Sequence, residues 1–90
     1  MQSRKFKITN DEGIHAKPAT SLVNICMKYQ SDITLSAYKK TVDFKSIMGV
    51  MALGVYSGTI IEVATNGSDE VDAINAISNR ILELELGTEV

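Results

Sequence analysis

Apolar residues recur with period two in four short stretches of this chain and with helical spacing in three. The stretches interleave in one order: strand, helix, strand, strand, helix, strand, helix. Lys5-Phe6-Lys7-Ile8-Thr9 alternates as a half-buried strand does, and Asn10-Asp11-Glu12-Gly13 breaks it as a turn. From Ala16 onward, Ala16, Ala19, Leu22, Val23, Cys26 and Tyr29 share one helical face. Pro18, the only proline, falls in the first turn of that helix, where its missing N–H has no consequence. The helix therefore starts at His15.

Ile33, Leu35 and Ala37 alternate in a second strand, and Val42 and Phe44 continue in a third, with Lys39-Lys40 as the expected hairpin turn. Ser46 stands at an N-cap position ahead of Ile47-Met48-Gly49-Val50-Met51-Ala52-Leu53, and Gly54 closes that short helix. Thr59–Thr65 is rich in β-branched residues and ends at Asn66-Gly67, which predicts the fourth strand. Val71, Ile74, Ile77, Ile81 and Leu84 form the stripe of a third helix behind Ser68-Asp69-Glu70, and Gly87 is its expected stop. The order predicts an α+β protein: a two-layer open-faced sandwich, a four-stranded antiparallel sheet with three helices on one face, as a single domain over residues 1–90.

Composition excludes several function classes. A net charge of −2 does not provide the basic surface that non-specific nucleic-acid binding needs. With one histidine and one cysteine no zinc site is expected, the acidic residues lack calcium-loop spacing, and no metal or other cofactor is predicted. Cys26, on the apolar helix face, is expected to be a core residue rather than a reactive thiol. No apolar run approaches the roughly 20 residues of a membrane span, and Met1-Gln2-Ser3-Arg4-Lys5 does not lead into a signal peptide, so a cytoplasmic protein without membrane insertion is expected.

The chemistry concentrates at Gly13-Ile14-His15-Ala16-Lys17-Pro18-Ala19-Thr20. A glycine allows a tight turn, the helix start offers unpaired backbone N–H groups at Ala16 and Lys17, and Lys17 adds positive charge. All three favour an anion beside the imidazole, above all a phosphate. Taken singly, a lone histidine is more often an ordinary surface or capping residue, and it is this setting that turns His15 into a candidate. Ser46 reads first as a plain N-cap, yet a phosphate there would meet helix N–H groups and leave the fold intact. Ile47, Met48 and Met51 sit on a helix too short to bury its whole circumference, which makes an exposed apolar docking patch.

These two motifs, with Gly67-Ser68-Asp69-Glu70 ahead of the last helix, give a sequence that resembles the HPr family of histidine-containing phosphocarriers of the bacterial phosphotransferase system. Lys45-Ser46-Ile47-Met48-Gly49-Val50-Met51 looks like the Gram-positive version. The resemblance implies that His15 accepts a phosphoryl group on Nδ1 from enzyme I and passes it to enzyme IIA domains. It also implies that Ser46 is phosphorylated by HPr kinase/phosphorylase, and that the modified protein binds a catabolite-control transcription factor. Thr20, Ile47, Met48 and Met51 would form the shared docking surface. Lys17 departs from the family pattern, which has an arginine there; it keeps the charge and loses the bidentate fork. Glu12 departs too, and a carboxylate near a phosphate is expected to disfavour it. The alternative is a catabolite-repression paralogue acting mainly through phosphorylated Ser46; that paralogue lacks the histidine, so His15 opposes it.

Overall fold

Alternation in the strands becomes one covered sheet face and one open face. The computed structural model describes all 90 residues, Met1–Val90. In chain order the elements are β1 (Gln2–Ile8), α1 (Ala16–Cys26), β2 (Asp32–Ala37), β3 (Lys40–Asp43), α2 (Ile47–Leu53), β4 (Ile60–Asn66), α3 (Glu70–Glu83) and β5 (Gly87–Glu89). The strands form one antiparallel sheet in the order β3-β2-β4-β1-β5. Three helices cover one face, an open-faced two-layer sandwich. Phe6, Ile8, Ile33, Leu35, Ile61 and Val63 point into the core, where they meet Leu22, Val50, Ile74, Ile77 and Ile81 from the helices. Mostly polar residues occupy the opposite face, with Ile60 and Ala64 as apolar exceptions on β4: Lys5 pairs in register with Glu62, and Ser36 with Thr41, whose hydroxyls bond at 2.8 Å. One core cluster of 22 buried residues joins the two layers.

β1 and β2 both flank β4 and both run antiparallel to it, so they run parallel to each other, and α1 carries the chain from one to the other. That crossover fixes the start of α1 just beyond the end of β1, which is where His15 falls. α3 is tied to α1 by Arg80, whose guanidinium donates to the Ser21 hydroxyl at 2.6 Å. The loops at the opposite end are tied by Asp69, whose carboxylate accepts from the backbone N–H of Gln30 at 2.8 Å and of Ser31 at 3.0 Å.

The sheet has five strands where the sequence predicts four, and Gly87 does not stop α3. The helix ends at Glu83 in a Schellman arrangement: Glu85 takes φ +54°, its N–H donates to Leu82 O, and the Leu86 N–H donates to Ile81 O at 3.1 Å. Leu86 and Ile81 are both buried, which supplies the apolar contact of that motif. Gly87 then starts β5 against β1, where a Cβ would overlap the Lys7 carbonyl. The hairpin turn is also displaced by one residue from Lys39-Lys40. Tyr38 and Lys39 are its two central residues, with φ +53° and +62°, and Lys40 already pairs with Ala37. The Tyr38 hydroxyl, bonded to Thr59 Oγ1 at 2.7 Å and to the Tyr56 N–H at 3.1 Å, helps offset this unfavourable backbone.

Candidate functional site

The segment between β1 and α1 is pinned at several points. Gly13 N–H donates to Asn10 O at 3.2 Å, and the Asn10 side-chain amide returns a bond to Gly13 O at 2.8 Å, closing the turn. Gly13 has φ +65° and lies against the Val55 carbonyl, so a side chain is excluded both by conformation and by space. Ile14 donates its N–H to Val55 O at 3.1 Å and buries its side chain.

His15 is the N-cap of α1, in extended conformation with φ −90° and ψ −173°, and its ring makes no capping bond to the helix. Its carbonyl accepts the first helical bond, from Ala19 N–H at 3.0 Å. Pro18 has no N–H, so the free donors of this first turn are those of Ala16 and Lys17. They stand beside the imidazole. His15 and Lys17 line a cleft of about 280 Å³ whose other walls include Asn10, Pro18, Ser21 and Leu86. Asn10 Oδ1 is a buried acceptor with no partner in the chain. The imidazole is 42 % exposed, open enough for another protein to reach it.

Glu12 lies closer than the sequence shows. Its Oε2 is 3.2 Å from His15 Nε2, so the carboxylate occupies one ring nitrogen and leaves Nδ1 without a partner in the chain. Thr20 is exposed on the next turn, and its hydroxyl donates back to Ala16 O at 2.8 Å. It does not line the cleft.

Ser46 is the N-cap of α2, as its position predicts, and its Oγ accepts from Gly49 N–H at 3.0 Å. Gly49 sits close against this cap: a Cβ there would stand 3.3 Å from Ser46 Oγ, a tight approach, and in ordinary contact with Val42 Cβ at 3.6 Å. The close neighbours of Gly49 therefore belong to the chain itself. Lys45 does not direct its charge at the serine, since its ammonium donates to Tyr29 O at 2.8 Å. Val50 and Leu53 are buried, while Ile47 and Met51 are each 41 % exposed and Met48 is 84 % exposed. α2 packs on α1, so this apolar surface and the histidine belong to neighbouring helices. Two further apolar residues are exposed: Met27, the C-cap of α1, and Tyr56, which follows the carbonyl that holds Ile14. Neither belongs to a periodic pattern, and each shows only as an isolated apolar side chain in a loop or at a helix end.

Cys26 is fully buried, and loss of hydration pushes its thiol up to about 12, which makes it a core residue and a poor nucleophile.

Comparison with known proteins places this geometry. A family model described as the phosphotransferase-system HPr component phosphorylation site matches residues 2–82. The fold superposes on a histidine-containing phosphocarrier protein of Mycoplasma with a TM-score of 0.94, at 36 % identity over 96 % of this chain and 98 % of that one. A phosphocarrier protein HPr of Bacillus anthracis matches at 32 % identity with a TM-score of 0.81, covering 88 % of this chain and 94 % of that one. The catabolite repression protein Crh of Bacillus subtilis, a swapped dimer, matches at 32 % identity with a TM-score of 0.72, over 92 % and 95 % of the two chains.

Proposed function

This chain belongs to the HPr phosphocarrier family of the phosphotransferase system, and from that membership we propose that it carries a phosphoryl group on His15. The observation that carries the reading is the position of the imidazole: N-cap of α1, partly exposed, with Nδ1 unpartnered beside the free N–H groups of Ala16 and Lys17. The phosphoryl group comes from enzyme I and goes to enzyme IIA domains. Such transfer needs alignment and charge stabilisation rather than a cofactor or an internal base. The Ala16 and Lys17 amides and the positive end of α1 supply the stabilisation, and the Lys17 ammonium acts as a point charge in place of a fork. The protein is a substrate of catalysts more than a catalyst itself.

Ser46 is the regulatory position in this reading. HPr kinase/phosphorylase would modify a hydroxyl that already accepts from the N terminus of α2, so added phosphate oxygens could take over that bond without unfolding the helix. The change is one of surface charge beside Ile47, Met48 and Met51, the docking residues with Thr20. That change slows acceptance at His15 and favours a catabolite-control transcription factor. The protein works in the cytoplasm, and no helix is long and apolar enough to cross a membrane.

The test is delivery. Protein charged with labelled phosphoenolpyruvate and enzyme I, then freed of both, is mixed with an enzyme IIA domain. Label moves to that domain if the chain is a carrier. Label that stays, or never loads while Ser46 is readily phosphorylated from ATP, supports a regulatory protein of the Crh type instead.

A further inference from the structure

Glu12 is a liability if its carboxylate meets the incoming phosphate. The structure places it elsewhere, at the other ring nitrogen, 3.2 Å from His15 Nε2. A neutral imidazole carries one proton, and an ionised carboxylate can only accept. The contact is an ion-pair approach rather than an aligned hydrogen bond, and at 3.2 Å the negative charge favours the proton on Nε2 and leaves the Nδ1 lone pair free. No hydrogen bond within the chain competes for the ring, since His15 makes no capping bond with its own helix. The pairing is prepared by the backbone as well. Asn10 closes the turn that contains Glu12, Gly13 is wedged against Val55, and the Ile14 N–H anchors the residue before the histidine.

We propose that Glu12 is a positioning residue for His15: it holds the proton on Nε2, turns Nδ1 toward the phosphoryl donor, and offsets the positive charge that the ring acquires on transfer. This rests on the carrier reading given above. In the transfer step the Nδ1 lone pair forms the new N–P bond, while the bond from phosphorus to the donor breaks and its electron pair returns to the donor. No proton leaves His15. The ring, still protonated on Nε2, becomes cationic, and the Glu12 carboxylate faces the nitrogen that bears the proton. Discharge to an acceptor reverses each of these changes. The acidic residue in the loop thus takes the part that a carboxylate takes behind a catalytic histidine, orienting one nitrogen so that the other can react.

Both side chains are substantially exposed, so the effect is modest. Substitution of Glu12 by an exposed neutral or basic residue should change the balance between ring tautomers, and the rate of phosphoryl acceptance, by about two- to fivefold. The experiment uses the full chain with 15N-labelled histidine, native and as Glu12→Lys and Glu12→Gln. Long-range 1H–15N correlation spectra, recorded where the ring is neutral, report which nitrogen holds the proton. The native chain should show a bare Nδ1. Glu12→Lys should raise the Nδ1–H share and lower kcat for acceptance from enzyme I with KM little changed. Glu12→Gln, which loses the charge without reversing it, should give a tautomer balance and a rate between those of the other two. Identical tautomer balance in native protein and Glu12→Lys, or faster acceptance by Glu12→Lys, would overturn the proposal. Failure of the native chain to accept phosphate at all would overturn the carrier reading, while the spectra decide the role of Glu12 separately.

Discussion

The Ile14 N–H donates to the Val55 carbonyl at 3.1 Å, and through that bond the segment after α2 holds the loop that presents His15. The imidazole therefore depends on two distant stretches of chain. One supplies the helix start and the other supplies the carbonyl that fixes its approach. Gly13 packs against the same carbonyl, which leaves the loop little freedom to move away.

Gly13→Ala should consequently damage site and fold together. A left-handed conformation for a non-glycine residue costs about 1–3 kcal/mol, and here the added Cβ also overlaps Val55 O. Urea unfolding should show a loss of at least about 1 kcal/mol, with slower phosphoryl acceptance by the folded fraction. Native stability in the variant would contradict the described position of Gly13.

Ser46→Ala and Ser46→Asp should separate the cap from the charge. Alanine removes the bond from Gly49 N–H and should cost about 1 kcal/mol. Aspartate is as good an N-cap as serine and should leave stability within about 0.5 kcal/mol, while its charge slows acceptance at His15. Thermal unfolding and enzyme I kinetics, measured on both variants, read the two effects apart. An aspartate variant as unstable as the alanine one would show that the cap is not the source of the stability.

Cys26 should make the fold sensitive to alkali. Burial raises the thiol from its ordinary 9.0 to about 12, with the nearby Lys45 charge opposing. Between these values the unfolded chain ionises and the folded chain does not, so stability should fall as pH rises through that window, by about 1.4 kcal/mol per pH unit. The comparison is with Cys26→Ala, which retains the alkaline titration of lysines and tyrosines and lacks this component. Parallel stability curves for the two proteins would contradict the burial of the thiol. At neutral pH the native thiol should also resist a thiol reagent that modifies it promptly in urea.

Asp69 should act at the opposite end of the pH range. The hydrogen bond from the Ser31 hydroxyl, followed by that from Gln30 N–H, holds its carboxyl below its ordinary 3.8. Its stabilising contribution is thus present above that ordinary value and is lost as pH falls through the lower folded one. Asp69→Asn should lower the urea midpoint near neutrality and flatten its decline in acid. An unchanged acid limb would mean that the bonds to Ser31 and Gln30 contribute nothing.

Seven of the eight elements were legible in the sequence: six bury one face, and burial writes its own period, while β3, with only Val42 half-buried, showed as the continuation of β2 across a turn. Pro18 marked the start of α1, and Ser46 and Gly54 marked both ends of α2, since capping depends on residue type. β5 was not legible: three residues, Gly87–Glu89, carry no alternation, and they form a strand only because β1 lies alongside. Gly87 reads as a helix stop for the same reason, whereas close approach to the Lys7 backbone is what requires a glycine there. The turn at Tyr38-Lys39 carries neither glycine nor asparagine, and its conformation is supported by a hydroxyl bond to Thr59, 21 positions away. In the site, the motif around His15 showed the imidazole and the helix start. The side of the ring that Glu12 occupies depends on the fold of a turn, and the sequence shows only that an acid stands three residues before the histidine.

The central claim is that His15 is the phosphoryl acceptor. The most direct measurement is intact mass after incubation with phosphoenolpyruvate and a catalytic amount of enzyme I, followed by brief acid treatment, on the native chain and on His15→Ala. One phosphoryl group should appear on the native chain and be removed by acid, and none should appear on the variant, whose fold should remain intact because the ring is partly exposed and makes no capping bond. An acid-labile phosphoryl group that persists in His15→Ala, or its absence from the native protein, would contradict the account.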